Sequence, residues 1–248
     1  MIKFFRRIRQ KLLNDGRAGK YLLYALGEII LVVIGILIAL QINTWNQERI
    51  NEKIENEIIA NLEDDFKINL KDIESYLTEF QVQANANKKL MSLIGSSREE
   101  LALHNLDSIF FISMGAANIA FADNTLNNLI QTDRLGLIRS ESLITLLNRW
   151  IALNKIRLDR VNKLDKWVNE FHLNYLLTKI SFKEMDSYGN YEWSGKSKVK
   201  PDYYPLFQEV KFENSLENLL WYNQKVVERT VETRELIHQI LDEIYAIQ

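Results

Sequence analysis

The chain has no cysteine, and only two prolines and nine glycines in 248 residues. Without cysteine there is neither a disulfide framework nor a thiolate metal site, so packing alone must hold the fold. So little proline and glycine leaves few positions at which a helix is forced to stop. Charge of one sign is also missing. Thirty-one Lys and Arg against 33 Asp and Glu give a net charge of −2, which leaves no basic footprint for nucleic acid. There is no glycine-rich phosphate loop, no Gly-x-Ser-x-Gly and no His-Glu-x-x-His. The three histidines, His104, His172 and His238, have no second histidine three or four residues away. Glu235-x-x-His238 has the spacing used in di-iron bundles, but such a site needs a second copy of that motif, and the sequence has none. No catalytic residue, cofactor site or metal site is therefore expected, and the expected class is not an enzyme.

What the chain does have is one long apolar run, "YALGEIILVVIGILIALQINTW" (residues 24–45). The stretch from Tyr21 to Ile42 would span about 33 Å as a helix, enough for a hydrocarbon core of about 30 Å. Only Glu28 and Gln41 within it are strongly polar. Lys3, Arg6, Arg7, Arg9, Lys11, Arg17 and Lys20 precede it, and an acidic balance from Glu48 to Asp65 follows. Positive residues beside a membrane helix stay cytoplasmic. The expectation is a single-pass inner-membrane protein with a cytoplasmic N-terminus and a periplasmic C-terminal domain. The run is too long for a cleaved signal peptide, and Ala39-Leu-Gln41 is a poor cleavage site, so an uncleaved signal-anchor is expected. Residues 1–14, "MIKFFRRIRQKLLN", place Arg6, Arg7, Arg9 and Lys11 beside apolar residues. That composition predicts an amphipathic helix lying on an anionic leaflet.

An acid in such a run needs an account. Glu28, Val32, Gly35 and Ala39 follow a 4-3-4 spacing and so share one helix face. Gly35-x-x-x-Ala39 is a small-xxx-small pair that allows a second helix to approach closely. On this reading Glu28 faces a partner helix; the alternative is a residue snorkelling toward Lys20 or the headgroups. The expected partners are the lipid bilayer and either a second copy or another membrane protein.

Beyond Trp45 the helix is predicted to continue without a break. Ile54, Ile58, Leu62, Phe66, Leu70, Ile73, Leu77, Phe80 and Ala84 form a helical stripe lasting to about Ile94, where "GSSREE" interrupts it. A second helix is expected over Leu101–Ala116, and a third near Asn124, capped by Asp123 or Asn124. Ser140 is expected to cap the next. In that helix Leu143, Leu147, Trp150, Val161, Leu164, Val168, Phe171 and Tyr175 carry a coiled-coil-like seven-residue spacing, interrupted by Asn154 and Arg157. Residues 181–213 hold both prolines and eight aromatic residues, and read as an ordered irregular segment with a short hairpin around "SYGNYEWSG". The last helix is expected to start at Asn214 or Ser215, with Asn214 and Glu217 resembling a capping box.

The segment "MIKFFRRIRQKLL…GKYLLYALGEIILVVIGILIALQINTWNQ" closely resembles the start of an uncharacterised family of Bacteroidota membrane proteins, and "TLNNLIQTDRLGLIRSESLITLLNRW" is similar to a second hallmark of that family. "QTDRLGLI" departs from it where relatives more often carry Ser-Gly. The resemblance implies a single-pass protein with a helical extracytoplasmic domain, and no activity. The sequence thus reads as an all-α chain in three parts: a basic segment 1–20, a transmembrane helix 21–42 and a helical domain 43–248. The leading functional expectation is a scaffold or accessory subunit of a membrane assembly. The second is a ligand sensor that uses the aromatic segment and signals through the membrane helix.

Overall fold

The computed structural model describes residues 18–115, 119–189, 191, 193 and 195–248. The predicted amphipathic helix of residues 1–14, with Arg6, Arg7, Arg9 and Lys11, lies outside them. Among the described residues the fold is helical, without strands. Two units are distinguished, one ending at Glu57 and one spanning Ile58–Gln248. Helix α1, Ala18–Ser92, contributes to both.

In the first unit α1 carries the apolar run. An 18-residue window there has a mean hydropathy of 2.6 and none of it is buried. By length and composition the helix can cross a membrane.

The second unit is built on three long helices: α1 from Ile58 onward, α5 (Glu141–Trp167) and α8 (Val210–Ile247). The predicted stripe supplies their packing. Leu62, Phe66, Ile73 and Phe80 of α1 are buried, as are Leu143, Leu147 and Trp150 of α5. Each such side chain contributes about 1.5–3 kcal/mol of transfer free energy. Contacts at the two ends set the directions. Lys67 and Glu63 of α1 meet Tyr245 and Gln248, while Leu90 and Leu93 share a cluster with Phe212 and Leu216. Hence α8 runs antiparallel to α1. It is also antiparallel to α5, since Ser140 bonds Glu243, Arg149 bonds Gln239 and Trp167 meets Tyr222. Helices α1 and α5 are therefore parallel, and the chain between them must return the length of the bundle.

Polar side chains guide that return. The expected helix over 101–116 is two short ones, α2 (Arg98–Leu101, capped by Ser97) and α3 (Leu106–Ser113, capped by Asn105). The cap side chains satisfy first-turn amides that the broken helix would otherwise leave open. After α3 the chain steps back along α1. Gln83 Nε2 donates to the Ser113 and Gly115 carbonyls at 3.1 and 2.6 Å, and Asn87 Nδ2 donates to Ser113 O at 3.2 Å. Asn69 clamps Ala122 in both directions, accepting from its N–H at 2.7 Å and donating to its carbonyl at 2.8 Å. Asp65 accepts from Thr125 N at 3.2 Å. Helix α4 (Asn124–Gln131) thus draws its N-terminal acceptor from α1, because Asp123 gives no side-chain cap. Extended backbone against helices has no ladder partner of its own, so these amides take that part.

Arg157, which interrupts the α5 seam in the sequence, is 1% exposed. Its guanidinium sits 4.5 Å from the Phe121 ring centroid and donates to Asn154 Oδ1 at 3.0 and 3.2 Å. Burial pulls its pKa below the ordinary value, and the ring face beneath it offsets part of that desolvation.

Two turns need left-handed backbone. Gly95 (φ 78°) follows α1 and donates to Phe207 O at 2.8 Å. After α4, Asp133 takes φ 53°, with Asp133 N bonded to Ile130 O and Arg134 N to Leu129 O. That is a Schellman closure using Asp where glycine is commonest. It defines the "QTDRLG" turn. Ser140 caps α5 as expected, accepting from Leu143 N at 3.0 Å.

The 181–213 segment closes one end of the bundle. It contains a helix that the sequence pattern does not announce, α7 (Phe182–Asp186), and a 3₁₀ turn at Leu206–Gln208. The described residues around Tyr188 form turns, and no hairpin. Helix α8 starts at Val210, so Asn214 lies inside its second turn and is no cap. Two of its aromatics go inward: Phe207 and Phe212 meet edge-to-face at 5.3 Å, and Phe110 packs against both, while Tyr188, Tyr191 and Trp193 stay exposed.

Candidate functional site

Two places carry chemistry beyond simple packing. The first is the apolar part of α1. Glu28, Val32, Gly35 and Ala39 all lie within this helix, whose surrounding side chains, such as Leu31, Ile34 and Leu37, are exposed. A methyl group added at Gly35 would meet nothing within 4 Å. The small-xxx-small stripe is therefore sterically open within the chain.

The second place arises where α5 changes pitch. From Val168 to His172 the helix makes a π turn before continuing as α6 (Leu173–Leu176). A π turn holds one extra residue, so every later side chain is rotated off the preceding seam. The seven-residue spacing predicts Phe171 and Tyr175 inside. Instead His172 (2% exposed) and Leu176 are buried, Phe171 is 53% exposed and Tyr175 is half-buried. The register has slipped by one residue. The displaced aromatics, together with Trp167, now form one wall of a cleft of about 690 Å³. Val210, Lys211, Asn214 and Ser215 from the start of α8 form the other. That volume lies in the range of small-molecule sites.

The groups in and beside the cleft divide into satisfied and unsatisfied ones. His172 Nδ1 and Ser215 Oγ are 2.8 Å apart. Burial pushes the His172 pKa down to about 4, so the ring is neutral near pH 7. A neutral, enclosed imidazole bonded to a hydroxyl that is itself 8% exposed makes a core polar pair. Glu209, the N-cap residue of α8, gives that helix no side-chain cap. Its carboxylate instead accepts from Tyr175 OH at 2.6 Å and pairs with Lys179 at 2.7 Å, and these bonds hold its pKa below the usual carboxylate range. Burial and that same carboxylate push the Tyr175 phenol well up. By contrast, Trp167 Nε1 is enclosed with no acceptor. Lys211 Nζ rests 4.8 Å from the Tyr175 ring centroid.

The other candidates that the sequence suggests fall elsewhere. Tyr203 and Tyr204 of the aromatic segment edge a shallower depression of about 280 Å³ with Arg98 and Asp202. There Arg98 pairs in bidentate fashion with Asp202 at 2.9 and 2.7 Å. Glu235 and His238 are both exposed on α8. Among the described residues no three His, Asp or Glu side chains gather to hold a metal ion.

Residues 28–125 match a family of unknown function (DUF6090). The matched stretch includes the small-residue face of α1 and the polar side chains that guide the return segment. It stops short of the π turn and of α8. No curated protein and no solved structure matches the chain.

Proposed function

We propose that the protein is a membrane-anchored helical scaffold or accessory subunit without catalytic activity. Its N-terminus is cytoplasmic and its helical domain lies in the periplasm. One observation carries this reading: α1 is strongly apolar and unburied in its first part, at a mean hydropathy of 2.6, and becomes a core helix of the bundle from Ile58 onward. Apolar surface left uncovered on that scale needs lipid or another protein. The open face at Gly35 supports a partner helix there, with Glu28 turned toward it.

Reporter fusions after Ile42 and at Gln248 test the topology, and both should report the extracytoplasmic side. A mature N-terminus at or beyond Gln41 would overturn the anchor. Substitutions on the small-residue face test the partner helix. In native membranes Gly35→Leu should lower the size of the assembly on native gels. Glu28→Gln should do so less, because interhelical polar contacts in membranes average only about 0.6 kcal/mol. If neither substitution changes the assembly, the helix is an anchor and nothing more. Ligand sensing is the second reading, and the cleft at the π turn is what favours it.

A further inference from the structure

The unsatisfied groups of the π-turn cleft are of two kinds. The apolar surface is aromatic: the Phe171 ring is half exposed and stacked on Trp167 at 5.1 Å and 21°. The polar groups include the amides of Asn174 and Asn214, one enclosed donor and one cation. The Trp167 indole N–H has no acceptor, and the contact of Lys211 Nζ is the face of Tyr175. Of the acids nearby, one is firmly engaged and one only loosely. Glu209 is held by Lys179 and Tyr175, and Glu170 lies 4.0 Å from Lys166. A lysine in the first turn of α8 also works against the helix dipole, which favours acids there. The π turn itself breaks the packing pattern, burying a histidine and turning two aromatics out. Local rules are broken in this way mainly at functional sites.

We infer that this cleft binds a small carboxylate with an apolar, ring-sized body. The body lies against Phe171 and Tyr175, and the carboxylate pairs with the Lys211 ammonium. As the ligand parts the Phe171–Trp167 stack, one of its oxygens reaches the indole N–H. The apolar body answers the exposed ring, and the negative charge answers the Lys211 ammonium and the indole N–H. Every residue involved lies within the second unit, so the site stands whether or not α1 crosses a membrane.

The test uses the full chain in lipid nanodiscs, titrated with naphthalene-2-carboxylate by calorimetry against empty nanodiscs. Saturable binding is expected, with the Trp167 indole proton resonance, assigned by its loss in Trp167→Phe, moving as the probe is added. Lys211→Gln and Phe171→Ala should each weaken binding about tenfold or more, as should the neutral probe naphthalene-2-carboxamide. Both side chains are exposed, so both variants should keep the helical circular dichroism of the parent. Lys183→Gln, outside the cleft, should bind as the parent does. No saturable binding up to millimolar probe, equal binding of acid and amide, or undiminished binding by Lys211→Gln would overturn the assignment.

Discussion

Replacing Asn69 with alanine tests whether side-chain amides on α1 hold the return segment in place. Asn69 is fully buried and makes two short bonds, one to each backbone polar group of Ala122. Alanine would leave both the N–H and the carbonyl of half-buried Ala122 without this partner. Leaving such a group unsatisfied costs about 1–3 kcal/mol each, so the expected loss is about 2–6 kcal/mol. For a unit of this size the melting temperature falls by about 2–4 °C per kcal/mol lost. Asn87 is the control, because it is just as buried and on the same helix. Its Nδ2 makes longer bonds of 3.1 and 3.2 Å, its Oδ1 already lacks a partner, and Ser113 O keeps the Gln83 donor. Asn87→Ala orphans no backbone group and should cost about 1 kcal/mol or less. Urea unfolding of the full chain in non-ionic detergent, followed by tryptophan fluorescence, gives both values. The midpoint should move while the slope stays constant. A loss below about 0.5 kcal/mol for Asn69→Ala, or an equal loss for the two variants, would refute the clamp.

Two further outcomes follow from backbone and titration. Asp133 holds a left-handed conformation at φ 53°, so Asp133→Gly should stabilise the unit by about 0.5–1 kcal/mol, read as a rise in urea midpoint. His172 is held neutral by burial, its pKa depressed to about 4 from 6.5. The unfolded chain then binds this proton first, so the associated stability is complete above about pH 6.5 and is lost as pH falls toward 4, by at most about 3 kcal/mol. His172→Gln should flatten that part of the pH profile, and a His172 imidazole resonance, assigned by its loss in that variant, titrating near 6.5 in the folded protein would contradict the burial argument.

Some of this protein is decided locally and some is not. The apolar run of α1 is a sum over consecutive side chains, so its length and hydropathy can be read without any fold. The stripe from Ile58 to Phe80 has one period, and it predicts a helix whichever partner covers it. Ser140 is also local, since a cap bonds an amide three residues away. The π turn is different. In residues 164–176 both registers are available, one burying Phe171 and Tyr175 and the other His172 and Leu176. The choice rests on Ser215, 43 residues on, which offers a hydrogen bond to His172, and on Leu176 joining a core assembled from several other segments. Asn69, Gln83 and Asn87 carry no signal in the apolar stripe, and Arg157 looks like an interruption of its seam, because periodicity counts apolar residues. Their partners are backbone groups and a ring brought back by a crossover whose direction nothing nearby in the chain specifies. Only the assembled bundle places those partners within hydrogen-bonding distance, where burial makes an unmet polar group costly and a met one specific.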